Sequence, residues 1–315
     1  MDNKKKNQWK AWLYLLPALV ILAIFTVWPI INTIRLSLLN DYNYNIAVLK
    51  GDSYFKFGFK NFKMVAGYSD FLNCLTNTLL LTVITVPIST MLALIIAVGL
   101  NSIKFVRKTM QTIFFLPYVT NSIAIGMVFM AMFAMVLNPA GGEPLSVGII
   151  NSIIQAFGGK AINWVNPGSS KFANMTVLVI YIVWNALPFK ILVLLGGLQG
   201  VNKQYYEAAK VDGTSRFRTF WRITVPLLSP MIAYVVITGF IGGFKEYSSV
   251  VGIFGEGMGP AASIGRPLDT MVGYIYSSLN GNQHGRASAA ALILFAIIFA
   301  VTMVNLYVSK KKVHY

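Results

Sequence analysis

YEAAKVDGTSRFRTFWRITVPLLSP, residues 206–230, is a polar, strongly basic island between two long apolar runs. The stretch from Gln204 to Val211 is rich in helix formers. Asp212-Gly213 stops it, because glycine adopts the left-handed conformation that ends helices. Thr214 or Ser215 then caps a second short helix. Phe217, Phe220 and Trp221 mark one face of that helix, while Arg216, Arg218 and Arg222 keep the rest wet. A chain that is apolar on both sides of such a segment has little use for it unless it docks onto something in the cytoplasm.

The flanking runs fix the class. The chain has 315 residues, 56% hydrophobic and 11% charged, with mean hydropathy +0.64. Soluble domains carry about 25% charged residues, so this is a membrane protein. The net charge of +16 would suit nucleic acid, but the basic residues gather in short segments between apolar runs. That is the distribution of cytoplasmic connectors, and no nucleic-acid partner is expected. Cys74 is alone and the two histidines, His284 and His314, lie far apart, so no disulfide, metal site or histidine-based catalytic site is expected. The sequence has no phosphate-binding Walker A loop.

Lys4, Lys5, Lys6 and Lys10 precede an uncharged stretch of 24 residues, Ala11 to Ile34, with no convincing cleavage site. A span needs about 20 residues, which predicts an uncleaved first helix with its N-terminus in the cytoplasm. Five more runs predict an all-α, polytopic fold with spans at about 11–39, 75–100, 113–137, 175–198, 226–245 and 287–308. These form a single transmembrane domain, 1–315, with the polar loop at about 199–225. Lys104, Arg107 and Lys108, the 206–226 segment and Lys310-Lys311-Lys312 fall on the side of the basic N-terminus, so both termini are expected in the cytoplasm. Asn40–Asp70, with Asp41, Asp52 and Asp70 offsetting four lysines, is expected outside. Pro17, Pro29, Pro87, Pro117 and Pro188 lie in or near spans. They mark either broken helices lining a path or ordinary kinks.

The 206–230 segment resembles the EAA loop of permease subunits of ATP-binding-cassette importers, whose pattern is E-A-A, three residues, Gly, nine residues, I-x-L-P. Here stand Glu207-Ala208-Ala209, three residues, Gly213, nine residues, then Ile223, Thr224, Val225 and Pro226. Val225 for Leu is the one departure. FGFKNF (57–62), NTLLLTVITVP (77–87), FFLPYVTNS (114–122) and GRASAAALILF (285–295) are similar to motifs of the carbohydrate-importing branch, in its maltose-type first permease. GFKEYSSVVGIFGEGMGP (243–260) matches less well, with Lys245-Glu246 and a longer glycine loop as departures.

The resemblance implies the six-helix type I importer permease fold and an ATP-driven importer in the cell membrane. Its implied partners are a second permease subunit, two ATPase subunits and an extracytoplasmic sugar-binding protein. ATP and Mg would be bound by the ATPase and no cofactor by this chain. Glu207, Ala208, Ala209, Asp212, Gly213, Ile223 and Pro226 would couple the pore to the ATPase. Sugar-contacting positions carried over from the family fall on Tyr118 and Ser122, on Asn185, Ala186 and Phe189, and on Gly239, Gly243 and Glu246. Ala186, Gly239 and Gly243 offer no side-chain hydrogen bond, so the cargo need not be maltose. Ordinary helix packing for Tyr118 and Phe189, and an interhelical hydrogen bond for Asn185, are the bland alternatives.

Charges within spans are costly and usually functional. Lys190 lies eight residues before Leu198, about 12 Å along the helix. Either Lys190 snorkels to the inner interface and Glu246 lies at the outer mouth of the fifth span, or one or both hydrogen-bond a hydroxylated ligand. A membrane enzyme would need a carboxylate or histidine cluster, and beyond Glu246 and Asp269 none is present. A secondary transporter would want paired intramembrane carboxylates and internal repeats, which are also lacking. Another polar solute, such as a glycerol phosphate, is the alternative cargo.

Overall fold

The computed structural model describes residues 2–103, 107–136, 138, 144–261 and 263–312; Lys104, Leu137 and His314 of the sequence reading lie outside them. The described residues are mostly helical. In order come α1 (Asp2–Leu22), α2 (Trp28–Leu38), α3 (Tyr44–Lys50), α4 (Lys60–Gly67), α5 (Ser69–Ser102), α6 (Arg107–Val119) and α7 (Ser122–Phe133). A two-residue antiparallel pair, Met135–Val136 with Ser146–Val147, precedes α8 (Ile149–Ala156). Then follow α9 (Lys171–Gly200), α10 (Gln204–Val211), α11 (Arg216–Thr219), α12 (Val225–Leu227), α13 (Ser229–Phe244), α14 (Ser248–Phe254), α15 (Met271–Asn280) and α16 (His284–Lys312).

Among the described residues, four helices are long and apolar enough to cross a bilayer: Trp12–Leu38, Ser69–Ser102, Lys171–Gly200 and His284–Lys310. A fifth candidate joins Arg216–Leu227 to Ser229–Phe244 through a 71° bend. The run predicted as one span at 113–137 comes as α6 and α7. Asn121 leaves the helical backbone at ψ 120°, and its side-chain oxygen accepts the N–H groups of Ile123 (2.9 Å) and Ala124 (3.4 Å). That cap starts a new helix. Pro17, Pro87 and Pro188 do not set the breaks, since they sit inside continuous helices. The interruptions fall at Thr120–Asn121 and Leu228 instead.

The chain forms two compact units, one holding the residues up to Phe71 with Tyr274–Ala296, the other Leu72–Gly273 with the residues from Ile297 on. In the first unit, the most apolar window of Trp12–Leu38 buries nothing within the chain. The connector after it is folded rather than loose. Asn61, fully buried, donates to the carbonyls of Ser37 (3.0 Å) and Leu39 (2.7 Å) and accepts from the Asp41 N–H (3.2 Å). The asparagine of the FGFKNF motif is thus a clamp that folds the chain back after α2. Leu39, Tyr42, Ala47 and Phe55 make a small core beside it. Arg35 pairs with Asp52 and, by that bond above all, holds its carboxyl below the usual range. Burial, then Asp52, pushes the Tyr42 hydroxyl up.

Among the described residues of the second unit, two apolar cores stand out. One gathers Leu81, Phe133, Leu178, Tyr181, Val250 and Ile253 from α5, α7, α9 and α14; the other gathers Ala93, Ala97, Leu194, Leu198, Leu228 and Val235 from α5, α9 and α13. Asn77 donates to the carbonyls of Pro267 (3.0 Å) and Asp269 (2.9 Å), and Thr78 accepts the Met271 N–H (3.0 Å). The NTL motif therefore pins the 267–271 segment onto α5. Asp269 is buried and ion-paired with Arg266 at 2.8 Å.

Candidate functional site

A cavity of about 360 Å³ opens in the second unit where α5, α6, α9 and α13 converge. Its wall carries Tyr118 from α6, Asn185, Ala186, Phe189 and Lys190 from α9, and Gly239 and Gly243 from α13. Glu246, just past the end of α13, completes it. Residues expected from three separate stretches of sequence are thus brought to one place. Tyr118 and Phe189 stack, with ring centroids 6.1 Å apart and planes 19° from parallel. The Asn185 amide has no hydrogen bond to another described residue, so the interhelical bond that would make it a packing residue is not made.

Ser122 stands apart. It begins α7, beyond the break at Thr120–Asn121, and is absent from the cavity wall. Its carbonyl accepts the Tyr181 hydroxyl. Tyr118 and Ser122, expected together as sugar contacts, therefore lie on different helices.

Gly239 and Gly243 act through what they lack. A Cβ on Gly243 would lie 2.8 Å from the Thr82 side chain, and one on Gly239 would lie 3.1 Å from Val86 and 3.3 Å from the Lys190 Nζ. Small residues one turn apart let α13 approach α5 closely.

Lys190 does not snorkel. It is 4% exposed, and its Nζ donates to Ser89 Oγ (2.7 Å), Thr90 Oγ1 (2.9 Å) and the Val86 carbonyl (3.2 Å). Glu246 Oε1 accepts the N–H groups of Tyr247 (3.1 Å) and Ser249 (3.0 Å). Thr85, Ser89 and Thr238 also line the cavity. Sequence reasoning missed them: a hydroxyl on an apolar helix does not show which face it lies on, nor, for Ser89, a partner about 100 residues away.

The polar loop folds as its residues dictate. Within α10, Glu207 and Ala208 are exposed while Ala209 is buried. Asp212 closes the helix, and Gly213 follows at φ +65°, with open space where a Cβ would be. The Thr214 N–H turns back to the Ala209 carbonyl at 2.9 Å. Ser215, rather than Thr214, caps the next helix by accepting the Arg218 N–H (3.4 Å). Ile223 lies in a π turn, Phe220–Thr224, and Pro226 in the turn after it. At Leu228 the chain bends into α13, which reaches the cavity. One continuous path thus runs from the exposed Glu207 to the cavity wall.

A family model described as "Binding-protein-dependent transport system inner membrane component" matches residues 89–314. The chain is 30% identical over 301 residues to the arabinooligosaccharides transport system permease protein AraP of Bacillus subtilis, covering 95% of this chain and 88% of that one. It is 27% identical to the trehalose/maltose transport system permease protein MalF of Thermococcus litoralis, covering 98% and 99%. Its fold is that of a chain in the crystal structure of a bacterial alginate ABC transporter in complex with an alginate pentasaccharide-bound periplasmic protein, with TM-score 0.75, 20% identity and coverage of 98% and 96%. The chain belongs to the family of binding-protein-dependent transport system inner membrane components.

Proposed function

We propose that the chain is one of two permease subunits of an ATP-driven importer, and that its cargo is a di- or oligosaccharide delivered by an extracytoplasmic binding protein. The observation that carries the cargo assignment is the cavity. Its aromatic faces, Tyr118 and Phe189, suit the apolar CH faces of sugar rings, and the Asn185 amide, unbonded among the described residues, suits their hydroxyls. The named cargoes of the relatives support the same class. The unburied apolar window of Trp12–Leu38 supports a second membrane subunit, against which an otherwise lipid-bathed face would pack.

In this reading ATP and Mg stay with two ATPase subunits, and the loop transmits their motion. Glu207 pairs with a basic group of the ATPase, Gly213 supplies the turn, and Ala208, Asp212, Ile223 and Pro226 shape the surface around them. Closure of the ATPase pair moves α10, the bend at Leu228 carries the motion into α13, and the glycine face of α13 changes the cavity. The bundle is then a two-state element whose equilibrium the ATPase biases.

Basic residues at Arg107, Lys108, Arg216, Arg218, Arg222 and Lys310 support cytoplasmic termini. Cysteines placed at the exposed Ser53 and Ser263 should react with an impermeant thiol reagent from outside, and one at Ser215 should not. Outside labelling at Ser215 overturns the orientation.

The cargo is tested in cells from which this chain is deleted. Uptake of labelled di- and trisaccharides should be lost and restored by the gene, while glycerol phosphate uptake is unchanged. Loss of glycerol phosphate uptake with saccharide uptake intact would assign the other cargo.

A further inference from the structure

We propose that the cavity prefers a saccharide bearing a carboxylate, and that Lys190 makes the choice; the inference rests on the saccharide reading above. It comes from the unequal treatment of two charges in one cavity. Lys190 and Glu246 both line it. Glu246 has two backbone N–H groups on its Oε1, so the chain itself meets much of its charge. Lys190 is 4% exposed and has neutral acceptors only: two hydroxyls and a carbonyl. No carboxylate pairs with it among the described residues. A buried intramembrane cation without a counter-charge is expensive to keep, and such groups mark substrate paths.

The ammonium is also within reach of a ligand. The Val86 carbonyl already accepts the hydroxyls of Thr90 (2.7 Å) and Ser89 (3.2 Å), so its 3.2 Å bond to Nζ is the weakest of the three. That bond is the one a cargo oxygen replaces. Gly239 lines the same cavity, and a Cβ there would crowd the ammonium at 3.3 Å from Nζ. A sugar hydroxyl would serve as an acceptor too. A carboxylate makes a shorter, charge-assisted bond of about twice the strength, and the low dielectric of a membrane cavity widens the gap. Tyr118 and Phe189 stack on ring faces that acidic and neutral sugars share, so they do not discriminate.

The test is equilibrium binding to the purified complete complex, using uronate disaccharides such as digalacturonate, each against its carboxyl-reduced counterpart. The acid should bind about tenfold more tightly or better. Lys190→Met should bring the ratio to about one, and Lys190→Arg should keep the preference. A wild-type complex that binds the neutral sugars as tightly overturns the proposal, as does a Lys190→Met complex that keeps the preference. The wild-type comparison stands even if a variant fails to fold. Good binding of neutral sugars without preference leaves the saccharide reading intact. Binding of neither class removes that reading and this proposal together.

Discussion

Gly213→Val and Glu207→Lys should each insert normally and stay with the second permease, yet lose the ATPase and most of the uptake. Gly213 stands at φ +65°. A β-branched residue there costs about 1–3 kcal/mol of backbone strain, enough to re-aim α10 away from its partner. Open space surrounds the missing Cβ, so the loss is conformational and not a clash. Gly213→Asn, which tolerates the left-handed region, should keep most of the coupling. Glu207 is exposed and makes no ion pair among the described residues, so its replacement disturbs this chain little. Charge reversal instead sets two like charges against each other at the joint, which costs several kcal/mol where solvent is excluded. Uptake should fall by about tenfold or more for each variant, since 1.4 kcal/mol is a factor of ten. Co-purification of all subunits followed by a transport assay decides it. Wild-type ATPase content together with wild-type uptake in both variants would remove the loop from coupling.

The second large effect is expected in the cavity. Asn185→Ala removes a cavity-lining amide that has no partner among the described residues. An unpaired cargo hydroxyl then costs about 1–3 kcal/mol, or roughly 5- to 150-fold in transport at low cargo concentration. Phe189→Ala, which also ends the stack on Tyr118, should cost a similar amount. Glu246→Gln keeps an oxygen for the Tyr247 and Ser249 N–H groups, so its effect reports on cargo rather than on the start of α14. Uptake over a range of cargo concentrations, with complex yield as the control, measures all three. Normal uptake by Asn185→Ala and Phe189→Ala would return these residues to helix packing.

What was legible beforehand follows from the range of the signals. The polar loop was readable because its stop, Gly213, and its helix formers, Gln204–Val211, act locally; α10 spans those same residues. The apolar runs were readable by length. The break inside the third run was not inferred from length, although Asn121-Ser122 before an apolar stretch carries a helix-start signature. The 71° bend at Leu228 likewise follows no hydropathy signal, only the proline at 230. Asn61, Asn77 and Lys190 were hardest to place. Each satisfies its hydrogen bonds with backbone or hydroxyls far along the chain, and only the fold brings those partners near. Gly239 and Gly243, expected as cargo positions without a side-chain hydrogen bond, also seat α13 on α5 by their small size.

The most direct test uses proteoliposomes containing this chain, the second permease and the ATPase pair, with ATP sealed inside. The binding protein and a labelled oligosaccharide are added outside. Sugar should accumulate only when ATP and the binding protein are both present, and an imposed proton or sodium gradient should not replace them. Accumulation without ATP, driven by such a gradient, would contradict the assignment.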